Sequence, residues 1–327
     1  MRRSTIVSVI SVMSVLAGCG GSGSGTLLDP PPSSQGFQLT VPQFEVAAGD
    51  EVQGCYFFAV PGAAGQDVWV DHFKLAANIG THHMNIFRVK TVVDLGGKPG
   101  DVVVSKNGSG PCFKSSNWAD WPIVANTQAG GSTIDWNLPA GVGQRFSGGE
   151  LLMLQIHFVN ATTQKSPAGG RGAANFYTMS APPANELGTI FATNQNIRVC
   201  PGDSNRSYET HCKTPLSNAT IVAANGHFHS RGTAFTMNVV DAMGNDMLSQ
   251  PFYTSTQWDE PPMVHDLAVK IPDGGGVSWT CSYAADSGSC GNPMDSCCFT
   301  FGGKVETQEH CNAFVYYYPK VQDYSCF

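Results

Sequence analysis

Short apolar runs separated by turn residues organise most of this chain. The runs at 67–73, 85–93, 150–159, 233–240 and 313–318 are of strand length, and glycine or proline punctuates the gaps between them. No long stretch repeats its apolar positions at a helical period. The pattern therefore predicts an all-β protein of sandwich or barrel type. The least strand-like stretch, 181–196, predicts a crossover between two domains, with a boundary near residue 190. About 290 residues follow the Pro30-Pro31-Pro32 linker, enough for two domains of ordinary size. No internal repeat is evident.

The first residues read differently. Arg2 and Arg3 precede an apolar stretch at 6–15 that is too short to span a membrane as a mature helix. Leu16-Ala17-Gly18-Cys19 has the form of a lipobox, which predicts cleavage after 18, acylation of Cys19 and a membrane anchor through that lipid. Residues 19–36 would then be the acylated cysteine and a flexible Gly/Ser/Pro tether, followed by an N-terminal domain at 37–190 and a C-terminal one at 191–327. Gly20 after the cysteine points to the outer membrane of an exporting bacterium. Loss of Arg2 and Arg3 with the leader takes the formal charge from −7 to −9, which gives no electrostatic case for nucleic acid as a partner. Ten of the 11 cysteines remain once Cys19 is set aside, an even number that predicts disulfides in an oxidising compartment.

Nine histidines are present, and six fall in apolar or strand-like settings: His82, His83, His157, His227, His229 and His310. Imidazole is the commonest ligand for copper and zinc at neutral pH. In His227-x-His229 the two rings lie on one face of a strand and could grip one metal. His82 and His83 are adjacent, so they would point to opposite faces of a regular strand. Both could reach one metal only at a bulge or a strand end, for which Gly80 supplies the irregularity. His157 ends a strongly apolar run, and His310 stands beside Cys311 and the aromatic run at 314–318; neither would be singled out alone. His72, His211 and His265 fit no pattern.

Taken together, these blocks resemble the copper type II, ascorbate-dependent monooxygenases. Cys55 with Val60-Pro61 and then His82-His83-Met84 is similar to that family's opening block, and Leu154-Gln155-Ile156-His157 to its third-ligand strand. His227-Phe228-His229 is similar to its His-x-His block. Glu309-His310-Cys311-Asn312, followed by tyrosines, is similar to its Glu-Met-Cys-Asn block. The resemblance implies two jelly-roll-like β-sandwich domains facing each other across a solvent-filled cleft, with one of two copper ions in each. The first copper, on His82, His83 and His157, would take electrons from ascorbate or a similar reductant. The second, on His227, His229 and His310, would bind dioxygen and insert one oxygen atom into a C–H bond of a small-molecule substrate. The resemblance also implies the disulfides Cys55–Cys112, Cys212–Cys326 and Cys281–Cys311. The pairing of Cys200, Cys290, Cys297 and Cys298, partly within an insertion at 287–296, stays open.

Two departures from the family bear on chemistry. His310 stands where the family has a methionine thioether. Imidazole is a harder and stronger donor that favours Cu(II), and an ordinary histidine there would titrate near pH ~6.5. Met294 in the insertion is the alternative source of a thioether. Asn225 stands where the peptide-amidating members have an arginine, and Phe314 lacks a hydroxyl. Asn225, Asn312 and Phe314 therefore predict an uncharged substrate rather than peptide amidation. Two other readings remain at this point: a copper-binding redox module without hydroxylase activity, and a zinc protein using one three-histidine site.

Overall fold

The computed structural model describes residues 26–163, 169–214 and 216–327. The leader, Cys19 and the first part of the tether lie outside the described residues. Regular structure among them is almost entirely strand, with two short 3-10 helices at Ser116–Ala119 and Pro293–Asp295. No helix there is long and apolar enough to cross a membrane.

Four large sheets form two pairs. In the first half, one sheet runs Val102–Lys106, Glu51–Ala59, Leu151–Val159, Thr81–Arg88, Ile123–Thr127. Against it packs a sheet of Gly36–Phe44, Gly170–Thr178, Asp67–Ala77, Val142–Ser147 and Asn185–Glu186, with Thr133–Asn137 also on Asp67–Ala77. In the second half, the order Val264–Ile271, Ala219–Phe228, Cys311–Tyr318, Gly188–Thr193, Tyr324–Cys326 faces Arg206–Lys213, Gly276–Tyr283, Gly232–Val240, Tyr253–Ser255.

The chain changes halves at Leu187. Asn185–Glu186 pairs with Val142 and Gly143, while Gly188–Thr193 pairs with Cys311–Tyr318. The crossover expected around 181–196 thus contains a fully buried strand. A strand covered on both faces needs no polar alternation, so its sequence carried none of the usual period-two signal.

Thr81–Arg88 and Ala219–Phe228 are among the strands buried along their whole length. Their alternation explains why. Met84 packs inside the first sandwich, its sulfur against Gly172, whereas His83, Asn85 and Phe87 on the opposite face line a cavity shared with the second half. Phe228 stacks on Phe235 inside the second sandwich, whereas His227 faces the same cavity. The outward faces of the two halves therefore cover each other. Phe191, Val222, Phe314 and Tyr316 belong to one continuous apolar core with Phe87, Trp121 and Ile123. Hydrogen bonds cross the same junction: Asn126 donates to Asn225 Oδ1 at 3.0 Å, and the Tyr316 hydroxyl donates to Asn126 Oδ1 at 2.7 Å.

All ten described cysteines pair. Cys55–Cys112, Cys212–Cys326 and Cys281–Cys311 are formed, and the four that were open join as Cys200–Cys298 and Cys290–Cys297. Each closes a loop and so restricts the unfolded chain.

Candidate metal centre

The His82-His83 problem is solved by a bulge. Thr81 pairs with Phe158 and His83 with His157, so two steps on one strand match one on the other, and His82 is the extra residue. Gly80 makes the entry to this bulge. Its φ is +93°, and a Cβ there would lie 2.5 Å from the Phe158 ring. The bulge turns both rings to one side. Their centroids lie 5.4 Å apart, with His157 at 5.5 Å from His82 and 5.1 Å from His83.

In the second half the ladder sets the geometry. His227 pairs with Asn312 and Phe228 with Cys311, which brings His310 beside His229 just past the end of the ladder. The His229 and His310 centroids are 4.3 Å apart, and His227 Nε2 lies 3.0 Å from His310 Nδ1. The chain turns sharply after His229, where the Gly232 N–H donates to its carbonyl at 2.8 Å. Glu309 fixes this turn by accepting the N–H groups of His229 at 3.0 Å and Arg231 at 2.8 Å, and burial pushes its carboxyl up to about 8. The Cys281–Cys311 bridge and the Tyr283 hydroxyl, which donates to the His310 carbonyl at 2.5 Å, hold the strand that carries His310.

Partners on the far side of the rings leave specific nitrogens free. His83 Nε2 lies 3.1 Å from Gln155 Oε1, His157 Nε2 lies 3.1 Å from Glu51 Oε2, and His229 Nδ1 lies 2.9 Å from the Gln308 carbonyl. An acceptor on one ring nitrogen places the proton there and leaves a lone pair on the other. The nitrogens His82 Nε2, His83 Nδ1, His227 Nδ1 and His229 Nε2 are buried with no hydrogen-bond partner. A buried imidazole nitrogen without a partner is costly unless something else binds it. A divalent or monovalent copper ion, which favours imidazole, fits these positions.

Five of the rings are also held neutral. Burial, reinforced by the neighbouring imidazoles, pushes His82, His83, His227 and His310 well below 6.5, and burial takes His229 to about 4. This revises the expectation that His310 would make the centre titrate near the ordinary histidine value. Burial raises the Glu51 carboxyl, but the His157 contact and the Val305 N–H outweigh it and leave it below its usual value. Glu51 thereby ties a histidine of one half to the backbone of the other, since Val305 N donates to the same Oε2 at 3.1 Å.

One of the sequence expectations changes here, and one alternative falls away. The triplets do not face each other across solvent. His82 lies 4.8 Å from His227 and 5.3 Å from His229, and His83 lies 4.9 Å from His227, centroid to centroid. The covered sandwich faces and the Asn126–Asn225 and Asn126–Tyr316 bonds close the halves on one another. Met294 is 94% exposed and offers the centre no thioether, whereas His310 sits in contact with His227 and His229.

A cavity of about 610 Å³ opens against the histidines, with His83, His227 and His310 on its wall. Asn312 and Phe314 line it too. Asn225 does not: it is fully buried and spends its carbonyl on Asn126. A run of rings forms the apolar side. Trp118 lies 5.5 Å from Phe87, Phe87 6.0 Å from Phe191, and Phe191 stacks on Phe314 at 5.3 Å. The three remaining histidines stand elsewhere: His72 pairs with Asp135, His211 with Glu209 and His265 with Asp266.

Comparison with known proteins agrees with this chemistry. Residues 184–327 match the family model described as copper type II ascorbate-dependent monooxygenase, C-terminal domain. That match covers the segment that carries His227, His229 and His310, and it supports this family of copper-dependent oxidoreductases. No curated protein matches the chain. Among solved structures, the major capsid protein P2 of bacteriophage PM2 is similar over 86% of this chain and 97% of that one, at 8% identity and a TM-score of 0.27. A likeness that weak carries no argument.

Proposed function

We propose that this protein is a copper monooxygenase that draws electrons from ascorbate or a similar reductant and hydroxylates a C–H bond of an uncharged small molecule. The observation that carries the proposal is the meeting of neutral imidazoles, their free nitrogens buried, with an aromatic-walled cavity. In this reading His82, His83 and His157 hold one copper, and His227, His229 and His310 hold another. Copper supplies one-electron redox changes and an open position for dioxygen.

The residues around it do the rest. Phe87, Trp118, Phe191 and Phe314 offer ring faces to an apolar or aromatic substrate body. Asn85, Gln155 and Asn312 line the same cavity and offer amide groups to orient it. Gln155 also anchors His83, so a substrate contact there acts on the histidine that it positions. The charged side chains lining the cavity, among the described residues, are Asp94 and Lys114, which leaves its wall with no net formal charge. Asp94 is tied to Ser115 and Asn117. Nothing there matches the arginine that a peptide carboxylate requires, which supports a neutral substrate over peptide amidation. Closure of the halves keeps bulk water from the reacting groups.

The two sheet pairs support a reading as jelly-roll domains, one triplet on each. We further propose that the mature protein is an exported bacterial lipoprotein held at the outer membrane through Cys19. Cys19→Ser should release it from membranes or leave the leader uncleaved. The test of the central reading is oxygen uptake with ascorbate. Copper-loaded protein should consume dioxygen with a candidate substrate and yield a hydroxylated product. Binding of copper without turnover would favour a redox module, and activity in zinc-loaded protein without reductant would favour a hydrolase.

A further inference from the structure

Among the described residues that line the cavity, Lys114 is the one with a cationic side chain. That side chain is exposed, and no ion pair or hydrogen bond engages its ammonium group. Its backbone, by contrast, is fixed. Lys114 N donates to the Gly110 carbonyl at 3.0 Å. Just before it, the Phe113 ring lies 5.2 Å from that of His157, and Cys112 is bridged to Cys55. Just after it, the Ser115 hydroxyl donates to Asp94 Oδ1 at 2.5 Å. Asp94 also accepts from Asn117 at 2.7 Å and makes no ion pair with Lys114. Gln53 donates to the Cys112 carbonyl and so stands beside this segment. Gln53 pairs with His157 across one ladder, and His157 with His83 across the next. The polar corner made by Gln53, Lys114 and Ser116 is therefore built on the first-half histidines, whereas Phe191 and Phe314 come from the second half.

We propose that Lys114 anchors an anionic reductant, an enolate of the ascorbate type, in this polar corner of the cavity. The proposal rests on the reading of the protein as a reductant-dependent copper enzyme, and it adds where the reductant binds. Ascorbate is a monoanion at neutral pH. After giving up one electron and one proton it leaves as a radical that is still an anion. A chain of formal charge −7 offers such a molecule no long-range attraction, so a local cation has to hold it. Lysine suits a ligand that must bind and leave, because its ammonium is a compact point charge with three donors on a flexible stem. Gln53 spends its amide N–H on the Cys112 carbonyl, which leaves its amide oxygen to accept from an enol hydroxyl. A neutral substrate has no use for the ammonium group. One cavity thus sorts its two ligands by charge, the anion at Lys114 and the apolar body against Phe191 and Phe314.

Titration of ascorbate against the copper-free full chain without oxygen, followed by broadening of the ascorbate proton resonances, tests this. Lys114→Met should weaken ascorbate binding by about 3–10-fold, the worth of one partly exposed charge-assisted hydrogen bond. Phenol, a neutral aromatic probe, should bind both proteins equally. Copper-loaded protein gives a second readout in the decay of its Cu(II) electron paramagnetic resonance signal. Lys114→Glu should slow reduction by ascorbate and speed reduction by hexaammineruthenium(II), a cation. No ascorbate binding, equal ascorbate affinity in wild type and Lys114→Met, or equal slowing of both reductants would overturn the site while leaving the copper reading intact. Lys114-dependent binding of benzoate without that of ascorbate would overturn it too, by assigning the lysine to a substrate carboxylate. A copper-loaded wild type that ascorbate fails to reduce would overturn both the site and the ascorbate-dependent reading.

Discussion

The ring centroids of His82 and His227 lie 4.8 Å apart, closer than His82 stands to His83, at 5.4 Å, or to His157, at 5.5 Å. Residues from opposite halves of the chain are thus nearer neighbours than residues of one triplet. The metal chemistry of this protein depends on the junction as much as on either sandwich.

Glu51 is the first residue to test on that view. It orients His157 and binds Val305 of the other half through one oxygen. Loss of such a supporting contact typically lowers metal affinity by about 10–100-fold. Glu51→Gln keeps the shape and removes the charge, and copper titration against a competing chelator should show a weakening in this range. Unchanged affinity would mean that the Glu51–His157 contact is only structural.

Gly80 should not tolerate a side chain. Its φ of +93° is unfavourable for alanine, and the Phe158 ring occupies the Cβ position. Gly80→Ala should cost about 1–3 kcal/mol in denaturant unfolding of the metal-free protein. It should also weaken copper binding by straightening the bulge that brings His82 and His83 together. A loss below about 0.5 kcal/mol, the size of an ordinary surface substitution, would show that the bulge does not need this glycine.

Copper binding should resist mild acid. His229 falls to about 4, and His82, His83, His227 and His310 lie well below 6.5. A depressed histidine stays neutral as pH falls through its ordinary value, so ligation persists until pH approaches the folded value. Calorimetry in buffers of different ionisation enthalpy should find little proton release on copper binding at pH 6. The same shift sets the stability of the metal-free fold. The contribution of His229 is complete above about pH 6.5 and is lost as pH falls towards 4, on the order of 3 kcal/mol for that residue. Proton release of about one per histidine at pH 6 would contradict this.

Much of this was legible in the sequence because it is local. Strand-length apolar runs became Asp67–Ala77, Leu151–Val159, Gly232–Val240 and Cys311–Tyr318. Gly80 beside two adjacent histidines signalled the bulge, and the Glu-x-Cys-Asn frame brought out His310. What escaped was tertiary. Glu51 and His157 are 106 residues apart, and Gln308 and His229 are 79 apart, with nothing in either segment to link them. The strand Gly188–Thr193 lacked alternation because both its faces are covered. The closeness of the triplets follows from Asn126, Asn225 and Tyr316, ordinary residues whose role exists only once the halves meet. The aromatic wall of Phe87, Trp118 and Phe191 was hidden for the same reason, since each half supplies part of it.

Phe191→Ala tests that wall. Phe191 stacks on Phe314 and meets Phe87 across the junction. Truncating a buried phenylalanine costs about 3–5 kcal/mol. The variant should unfold earlier in denaturant and bind neutral aromatic probes more weakly, while copper uptake measured under native conditions should persist. Wild-type probe affinity in the folded variant would remove Phe191 from the substrate wall.

The account turns on a centre made of imidazole alone, and X-ray absorption of Cu(I)-loaded protein tests it most directly. The prediction is a shell of nitrogen scatterers, with contributions lost in His83→Ala and in His310→Ala, and a spectrum unchanged in Met294→Leu. A sulfur shell near ~2.3 Å, judged by metal–thiolate lengths, that vanishes in Met294→Leu and survives in His310→Ala would contradict it.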